Sequence, residues 1–233
     1  MSKDENLHAG HRQRMRREMI EQNSFDQMGD HRILEVLLFY GIPRKDTNPI
    51  AHELLNKFGS LTGVMDAEFE ELKAVKGMTE NAATLIKTIM PIARRYNFGK
   101  FKVGHNFKNI DEIGHFLIAK YIGRKNEVFA ITSLDTKARL LGFDIIGEGT
   151  PDTVEISLRD IAQTVIKRNA SCVIISHNHV DAFALPSISD IEMTVSIQRM
   201  LAGLGTNLLD HIIIAGDDYI SMKQTEKYSE IFK

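Results

Sequence analysis

The chain has 233 residues, of which 43% are hydrophobic and 26% charged, with one cysteine and no tryptophan. This length accommodates one large domain or two modest ones, and the composition excludes wholesale disorder. No apolar run approaches the ~20 residues that a membrane-spanning helix needs. The N-terminal segment lacks the apolar stretch of a secretory signal, and Cys172 alone cannot form an internal disulfide. We therefore expect a cytoplasmic protein with no membrane partner.

Residues 1–100 predict a helical module. Two apolar helical segments, 68–72 and 81–92, flank a tight turn at Lys76 and Gly77, and this arrangement is helix-hairpin-helix-like. Such turns bind DNA phosphates through backbone N–H groups, and glycine lets the backbone approach closely. A second glycine is missing from this turn, so two interpretations remain open. Lys76 and Gly77 contact DNA, or the turn has a packing or protein-interaction role.

A basic cluster lies near the N-terminus. Arg12, Arg14, Arg16 and Arg17 fall within six residues, although residues 1–102 as a whole carry only 16 basic against 14 acidic side chains. Two interpretations remain open. The cluster is either the solvated start of a helix or an arm in which Arg12 and Arg14 contact DNA phosphates.

The second part of the chain changes character. Residues 101–110 mix glycine with basic and aromatic residues and predict a linker to a domain over 111–233. Strands are predicted at 128–131, 140–146, 171–175, 208–215 and 219–222, and helices at 111–121, 158–167 and 187–202. Strands that alternate with helices, together with closely spaced strand pairs, favour an α/β sandwich with a mixed sheet.

Two histidines stand where a buried strand ends. His177 and His179 are two positions apart, so both imidazoles project to one face, and Asp190 follows eleven residues later in the first turn of a predicted helix. Two imidazoles and a carboxylate leave one position of a tetrahedral ion open, as in catalytic zinc sites. The same ligands form the facial triad of Fe(II) oxygenases, and paired histidines at a strand end are also found as plain surface residues. Ser187 and Asp190 match a helix-capping arrangement as well.

The spacing of these residues resembles that of a known family. His177-Asn178-His179, seven residues, and then a Ser-x-x-Asp that begins at Ser187 reproduce the pattern of the JAMM/MPN metalloproteases, and in particular of the bacterial RadC-like proteins. Further segments are similar to that family in the same order: Phe58-Gly59-Ser60-Leu61, Lys76-Gly77, Leu134-Asp135-Thr136-Lys137, Leu209-Asp210-His211-Ile212-Ile213-Ile214 and Tyr219-Ile220-Ser221.

The resemblance implies a fold and a reaction. The fold is a helix-hairpin-helix-like module followed by a JAMM/MPN-type α/β sandwich with a mixed sheet. The reaction is hydrolysis of a peptide or isopeptide bond in a peptide or protein substrate. One zinc ion per chain is held by His177, His179 and Asp190 in this reading. Glu127 is the general base, and Ser187 hydrogen-bonds the oxyanion.

Three points qualify the resemblance. The family typically continues its second histidine with Pro-Ser-Gly-Asp, whereas this chain has Val180-Asp181-Ala182-Phe183, which changes the loop and with it the choice of substrate. His211 is interpreted as a strand histidine near the site or in the core, since a fourth protein ligand leaves no room for the reacting water. The alternative function is a DNA-associated protein, linked to repair or recombination, in which the metal domain is accessory.

Overall fold

The structure, a computed structural model, describes residues 3–22, 24–99, 101–149, 156–180 and 183–233. The chain divides into two compact units, Met1–Ile92 and Ala93–Lys233. The domain limits expected from the sequence, with a linker over 101–110, stay predictions. None of the helices within the described ranges is both long and apolar enough to cross a membrane.

The first unit is built from helices. They are α1 (Lys3–Gln22), α2 (Asp30–Gly41), α3 (Asn48–Phe58), α4 (Leu61–Asp66), α5 (Phe69–Lys73) and α6 (Glu80–Phe98), the last of which continues into the second unit. Pro49 lies in the first turn of α3, where its missing N–H removes no helical bond. Gly59 ends the same helix with a φ of 81°. Leu34, Leu54 and Leu72 are fully buried in the core that joins these helices.

The second unit combines a sheet with helices on both faces. Its elements are α7 (Ile110–Tyr121), β1 (Glu127–Leu134), β2 (Leu140–Gly149), α8 (Leu158–Arg168), β3 (Cys172–Asn178), α9 (Ile188–Gly203), β4 (Asn207–Ala215), β5 (Asp218–Ser221) and a 3₁₀ turn (Ser229–Phe232). The described strands form one sheet in the order β2-β1-β3-β4-β5. β3 and β4 pair in parallel and the other neighbours pair antiparallel, which confirms the predicted mixed sheet.

Alternation along the strands creates two separate cores. Ile174 and Ile212 pack with Phe116 of α7 on one face of the sheet. Ile175, the neighbour of Ile174, packs with Ile197 of α9 on the opposite face, which α8 also covers. Successive side chains of a strand point to opposite faces, so each central strand supplies both cores. This α/β sandwich confirms the predicted fold class.

One strand end differs from the sequence-based boundary. β3 continues to Asn178, beyond the predicted end at residue 175, because His177 still pairs with Phe129 of β1 and with Ile213 of β4. Phe107, which precedes α7, is buried, and its ring lies 5.3 Å from that of Phe116. Phe107 therefore belongs to the core of the second unit.

Candidate metal centre

Three side chains meet at the end of β3. Nε2 of His177 lies 3.0 Å from Nε2 of His179 and 3.2 Å from Oδ1 of Asp190, and Nε2 of His179 lies 3.7 Å from Oδ2 of Asp190. Tetrahedral zinc with bonds of 2.0–2.1 Å spaces its ligand atoms by about 3.3 Å. Within the described ranges, these three residues form a group that could hold a metal ion. The spacing and the donor types fit a catalytic zinc site.

Strand register explains why the two histidines share a face with Glu127. His177 stands opposite Phe129 in the antiparallel pairing of β3 with β1. The backbone pairing ends with these two residues, and Glu127 lies two residues before Phe129 as His179 lies two residues after His177. Residues two apart on a strand project to one side, so the start of β1 lies beside the end of β3 on the face that α9 covers.

Asn178 ties these two strand ends together. Its Oδ1 accepts a hydrogen bond from the N–H of Val128 at 2.8 Å, and its Nδ2 donates to the carbonyl of Asn126 at 3.0 Å. Glu127 is the residue between these two partners. The side chain between the two histidines thus fixes the backbone on both sides of Glu127.

The cap of α9 orients Asp190. The hydroxyl oxygen of Ser187 accepts from the N–H of Asp190 at 3.1 Å, while Oδ2 of Asp190 accepts from the N–H of Ser187 at 2.8 Å and from its hydroxyl at 2.6 Å. This confirms the predicted capping arrangement. Because the cap occupies Oδ2, the other oxygen, Oδ1, faces His177.

The electrostatics of the group are those of a carboxylate among imidazoles. Burial by itself raises the pKa of Asp190, but hydrogen bonds with His177 and His179 outweigh it and hold that pKa well below its usual range. A hydrogen bond with Asp190 raises the pKa of His179 against the effect of burial, with smaller contributions from the Phe183 carbonyl and the charge of Glu127. Asp190 is therefore ionised and available as an anionic ligand at neutral pH.

His211 lies behind His177. Its Nε2 is 2.8 Å from Nδ1 of His177, the ring nitrogen that points away from His179 and Asp190. His211 is completely buried, and burial together with the neighbouring imidazole lowers its pKa well below the ordinary value. His211 is thus a strand histidine that is both buried and beside the site, where the sequence had left the two positions as alternatives.

The loop between His179 and α9 carries apolar side chains. Phe183, Leu185 and Ile188 are exposed to 85%, 62% and 77%. The carbonyl of Phe183 lies 3.1 Å from Nδ1 of His179 and orients that ring. Asp181 and Ala182, which belong to the segment that departs from the family pattern, lie outside the described residues.

The arginines of α1 differ in their surroundings. The guanidinium of Arg12 donates to the carbonyls of Ile42, at 2.9 Å, and of Lys45, and it lies 4.8 Å from the centre of the Phe39 ring. Burial lowers the pKa of Arg12. Arg12 therefore joins α1 to the end of α2 and the loop that follows it, whereas Arg14 is exposed.

The turn between α5 and α6 contains the other two residues expected to contact DNA. Gly77 has a φ of 91°, and a Cβ at this position would come within 2.9 Å of Cδ1 of Ile50. Packing inside the first unit therefore requires glycine here, whether or not the turn binds a phosphate. Lys76 is exposed beside it.

Comparison with known proteins identifies the family. The model of the family described as "RadC-like JAB domain" matches residues 107–228, more than half of the chain. The chain belongs to the RadC-like JAB family. This RadC-like chain is also 36% identical over 231 residues to UPF0758 protein FN0909 of Fusobacterium nucleatum, which covers 95% of the chain and 97% of that protein. A UPF0758 protein of Carboxydothermus hydrogenoformans is 34% identical over 209 residues, or 89% and 92% of the two chains.

Sequence reasoning about this RadC-like chain missed three residues of the site's surroundings. Asn178 and Thr194 received no role, and His211 was placed near the site without one. All three are polar and buried, and buried polar side chains almost always have hydrogen-bond partners. Thr194 could have been found from its spacing, because it follows Asp190 by one helical turn and so shares its face of α9.

Proposed function

We propose that the protein is a zinc-dependent metallohydrolase of the JAMM type that cleaves a peptide or isopeptide bond in a peptide or protein substrate. The observation that carries this proposal is the convergence of two imidazole nitrogens and a carboxylate within 3.0–3.7 Å of one another. Three protein ligands leave the fourth position of a tetrahedral ion for the reaction. Membership of the RadC-like JAB family supports the same conclusion.

His177, His179 and Asp190 would hold the zinc ion. When bound, zinc acidifies a water molecule and polarises the carbonyl under attack. One anionic and two neutral ligands leave the site with a net positive charge, which suits both effects. The same donor set suits Fe(II) in the facial-triad oxygenases, so identification of the bound metal separates the two chemistries.

Glu127 would act as the general base. Glu127 begins β1, and its charge contributes to the raised pKa of His179, which supports a carboxylate near the proposed ligands. There it accepts a proton from the attacking water and delivers that proton to the leaving amine. A base in this position typically contributes about 10²–10⁴-fold to the rate.

Ser187 would stabilise the oxygen that gains negative charge. Its hydroxyl lies 2.6 Å from Oδ2 of Asp190 and 2.8 Å from Oγ of Ser189. Rotation about the Cα–Cβ bond redirects that donor from Asp190 to a substrate carbonyl. The hydroxyl thus caps α9 in the free protein and donates to the oxyanion during reaction.

The surroundings support a polypeptide substrate. Phe183, Leu185 and Ile188 expose apolar surface on the loop that follows His179. Such surface is costly to leave in water and is typical of sites that dock another chain.

Metal content tests the ligand assignment. Glu127→Gln keeps the shape of the side chain but cannot take up a proton, so zinc measured by elemental analysis should stay at the wild-type level. Asp190→Asn removes the anionic ligand and should lose zinc. Loss of zinc from Glu127→Gln while Asp190→Asn retains it would reverse the two roles.

Cleavage tests the reaction. A peptide library made from a denatured proteome, incubated with the zinc-loaded protein and analysed by mass spectrometry, should show new termini with wild type. Glu127→Gln should reduce their rate of appearance by about 10²–10⁴-fold. Absence of new termini with wild type would refute the hydrolase proposal, and equal rates with wild type and Glu127→Gln would refute Glu127 as the general base.

A DNA-associated role for the first unit is the second candidate. Arg14 and Arg17 are both exposed and lie three residues apart on α1, so they share one side of the helix. This small basic surface favours phosphate contact, and the variants described in the Discussion test it.

A further inference from the structure

A chain of short hydrogen bonds links the back of His177 to α9. Nδ1 of His177 lies 2.8 Å from Nε2 of His211, and Nδ1 of His211 lies 2.6 Å from Oγ1 of Thr194. Oγ1 of Thr194 in turn lies 2.5 Å from the backbone carbonyl oxygen of Asp190. The chain therefore begins on one proposed metal ligand and ends on another.

The direction of each hydrogen bond follows from the last one. A carbonyl oxygen only accepts, so the hydroxyl proton of Thr194 lies on its bond to Asp190. That hydroxyl has a single proton, so Oγ1 must accept from Nδ1–H of His211. A neutral imidazole has one N–H, so Nε2 of His211 accepts from Nδ1–H of His177. When His177 is neutral, as a metal ligand must be, its lone pair is then on Nε2, the nitrogen that faces His179 and Asp190.

Burial excludes water and leaves few alternative hydrogen-bond partners for this chain. Thr194 and His211 are both completely buried, so water cannot replace a lost partner. Sδ of Met222 also lies 3.8 Å from Oγ1 of Thr194, but a thioether is a weak acceptor and does not compete with a carbonyl at 2.5 Å. Reversing one bond of the chain would leave a buried donor or acceptor unpaired, which is unfavourable.

The fold brings the members of the chain together from separate elements. His177 and His211 lie on the parallel neighbours β3 and β4, where Ile175 pairs with His211 and the two histidines therefore share a face. Thr194 lies one turn after Asp190 on α9, which packs over that face.

We propose that His211 and Thr194 are positioning residues that fix the tautomer of His177 and so present its Nε2 lone pair to the metal. This inference rests on the proposed metal site but not on hydrolysis. Metal-ligating histidines usually donate their second N–H to a carboxylate or a backbone carbonyl. In this protein the acceptor of the His177 N–H is the imidazole of His211, which in turn donates to the hydroxyl of Thr194. Neither group would add negative charge beside the ion.

The first experiment reads the tautomers directly. The metal-free full chain, labelled with ¹⁵N-histidine, is examined by long-range ¹H–¹⁵N NMR, and the two imidazoles are assigned with the variants His177→Gln and His211→Gln. Nδ1 should be protonated in both rings, and Nε2 of His211 should carry no proton. A proton on Nε2 of His211 would overturn the proposal without reference to metal or activity.

The second experiment compares two substitutions of one residue. Thr194→Val keeps the size of the side chain but removes the hydroxyl, and Thr194→Ser keeps the hydroxyl. Zinc affinity, measured by competition with a chelator, should fall by about 10–100-fold in Thr194→Val, as is usual for lost outer partners of a ligand. Thr194→Ser should bind zinc as wild type does.

Thr194→Val should also shift His211 away from the Nδ1–H tautomer in the NMR spectrum, which a purely structural role would not do. Unchanged zinc affinity in a folded Thr194→Val variant would overturn the proposal. If that variant does not fold, the wild-type tautomers still decide. Wild type that shows the expected tautomers and binds zinc but cleaves no peptide refutes hydrolysis alone, whereas failure to bind zinc refutes the positioning role.

Discussion

Oδ1 of Asn178 accepts a 2.8 Å hydrogen bond from the backbone N–H of Val128. Because the same amide group donates to the carbonyl of Asn126, it continues the ladder between β1 and β3 by one step and holds Glu127 from both sides. A side chain thus does here what a backbone pair does in the rest of the sheet.

Asn178→Ala should therefore loosen Glu127 without removing a metal ligand. Loss of two hydrogen bonds at a buried position should lower the free energy of unfolding by about 1–3 kcal/mol. Zinc content should stay near wild type, while cleavage of a library peptide should slow. Asn178→Asp is the matched variant, because it keeps the acceptor for Val128 but loses the donor to Asn126. Its free energy of unfolding and its cleavage rate should lie between those of wild type and Asn178→Ala. Wild-type unfolding in urea and wild-type cleavage by Asn178→Ala would contradict this assignment.

Ser187→Ala tests the cap of α9. Removal of an N-cap hydroxyl typically costs about 1 kcal/mol, and we expect that loss in the free energy of unfolding measured with denaturant. Zinc affinity should fall as well, because Oδ2 of Asp190 loses the 2.6 Å hydrogen bond that orients the carboxylate. Ser187→Thr keeps the hydroxyl and should restore both quantities. A Ser187→Ala variant with unchanged stability would show that the cap contributes nothing.

The sequence predicted the ligand group because its signals are local. The two histidines lie two positions apart, so their side chains share a face of the strand. The helix cap that Ser187 begins then brings Asp190 near them, and all of these residues lie in one short stretch of the chain. The roles of Asn178 and His211 could not be predicted in this way. Each depends on the pairing register of β3 with a strand that is distant in sequence, and a shift of one residue would reverse the face on which each lies.

In the first unit, too, contacts between residues distant in sequence could not be predicted. The predicted helical segments 68–72 and 81–92 are found as α5 and as part of α6. The difference between Arg12 and its neighbours was not visible, because the carbonyl of Ile42, which Arg12 binds, is 30 residues away in the chain.

Substitutions of Arg12 and Arg14 should have different effects on the first unit. Arg12→Ala removes hydrogen bonds to three backbone carbonyls and a contact with the Phe39 ring, so it should lower the melting temperature. Arg14→Ala should leave the melting temperature unchanged. If α1 contacts DNA, Arg14→Ala should weaken a gel shift with duplex DNA uniformly across sequences and reduce the salt slope by about 1. Binding that is equal in wild type and Arg14→Ala would exclude Arg14 from any DNA interface.

Lys120 predicts a rise of stability with pH. Its ammonium lies 4.5 Å from the centre of the Phe143 ring and 5.3 Å from that of Phe116, and burial lowers the pKa of Lys120 from 10.5 to about 8. Between these values the unfolded chain binds more protons than the folded one, so the free energy of unfolding increases with pH.

Lys120→Met keeps the contact with the rings and removes the titrating group. From pH 8 to about 9.5, the free energy of unfolding of wild type should therefore rise relative to that of Lys120→Met. This pH range lies below the one in which tyrosines ionise. Parallel pH curves for the two proteins would mean that the lysine titrates normally.

β3 is the middle strand of the sheet, with β1 on one side and β4 on the other. Opening its backbone requires both ladders to break together, whereas the edge strands β2 and β5 have one ladder each. Amide hydrogens from Ile174 to His177 should therefore exchange with deuterium only when the whole unit unfolds, and those of β5 should exchange earlier by local opening. A histidine on such a strand therefore has little freedom to move.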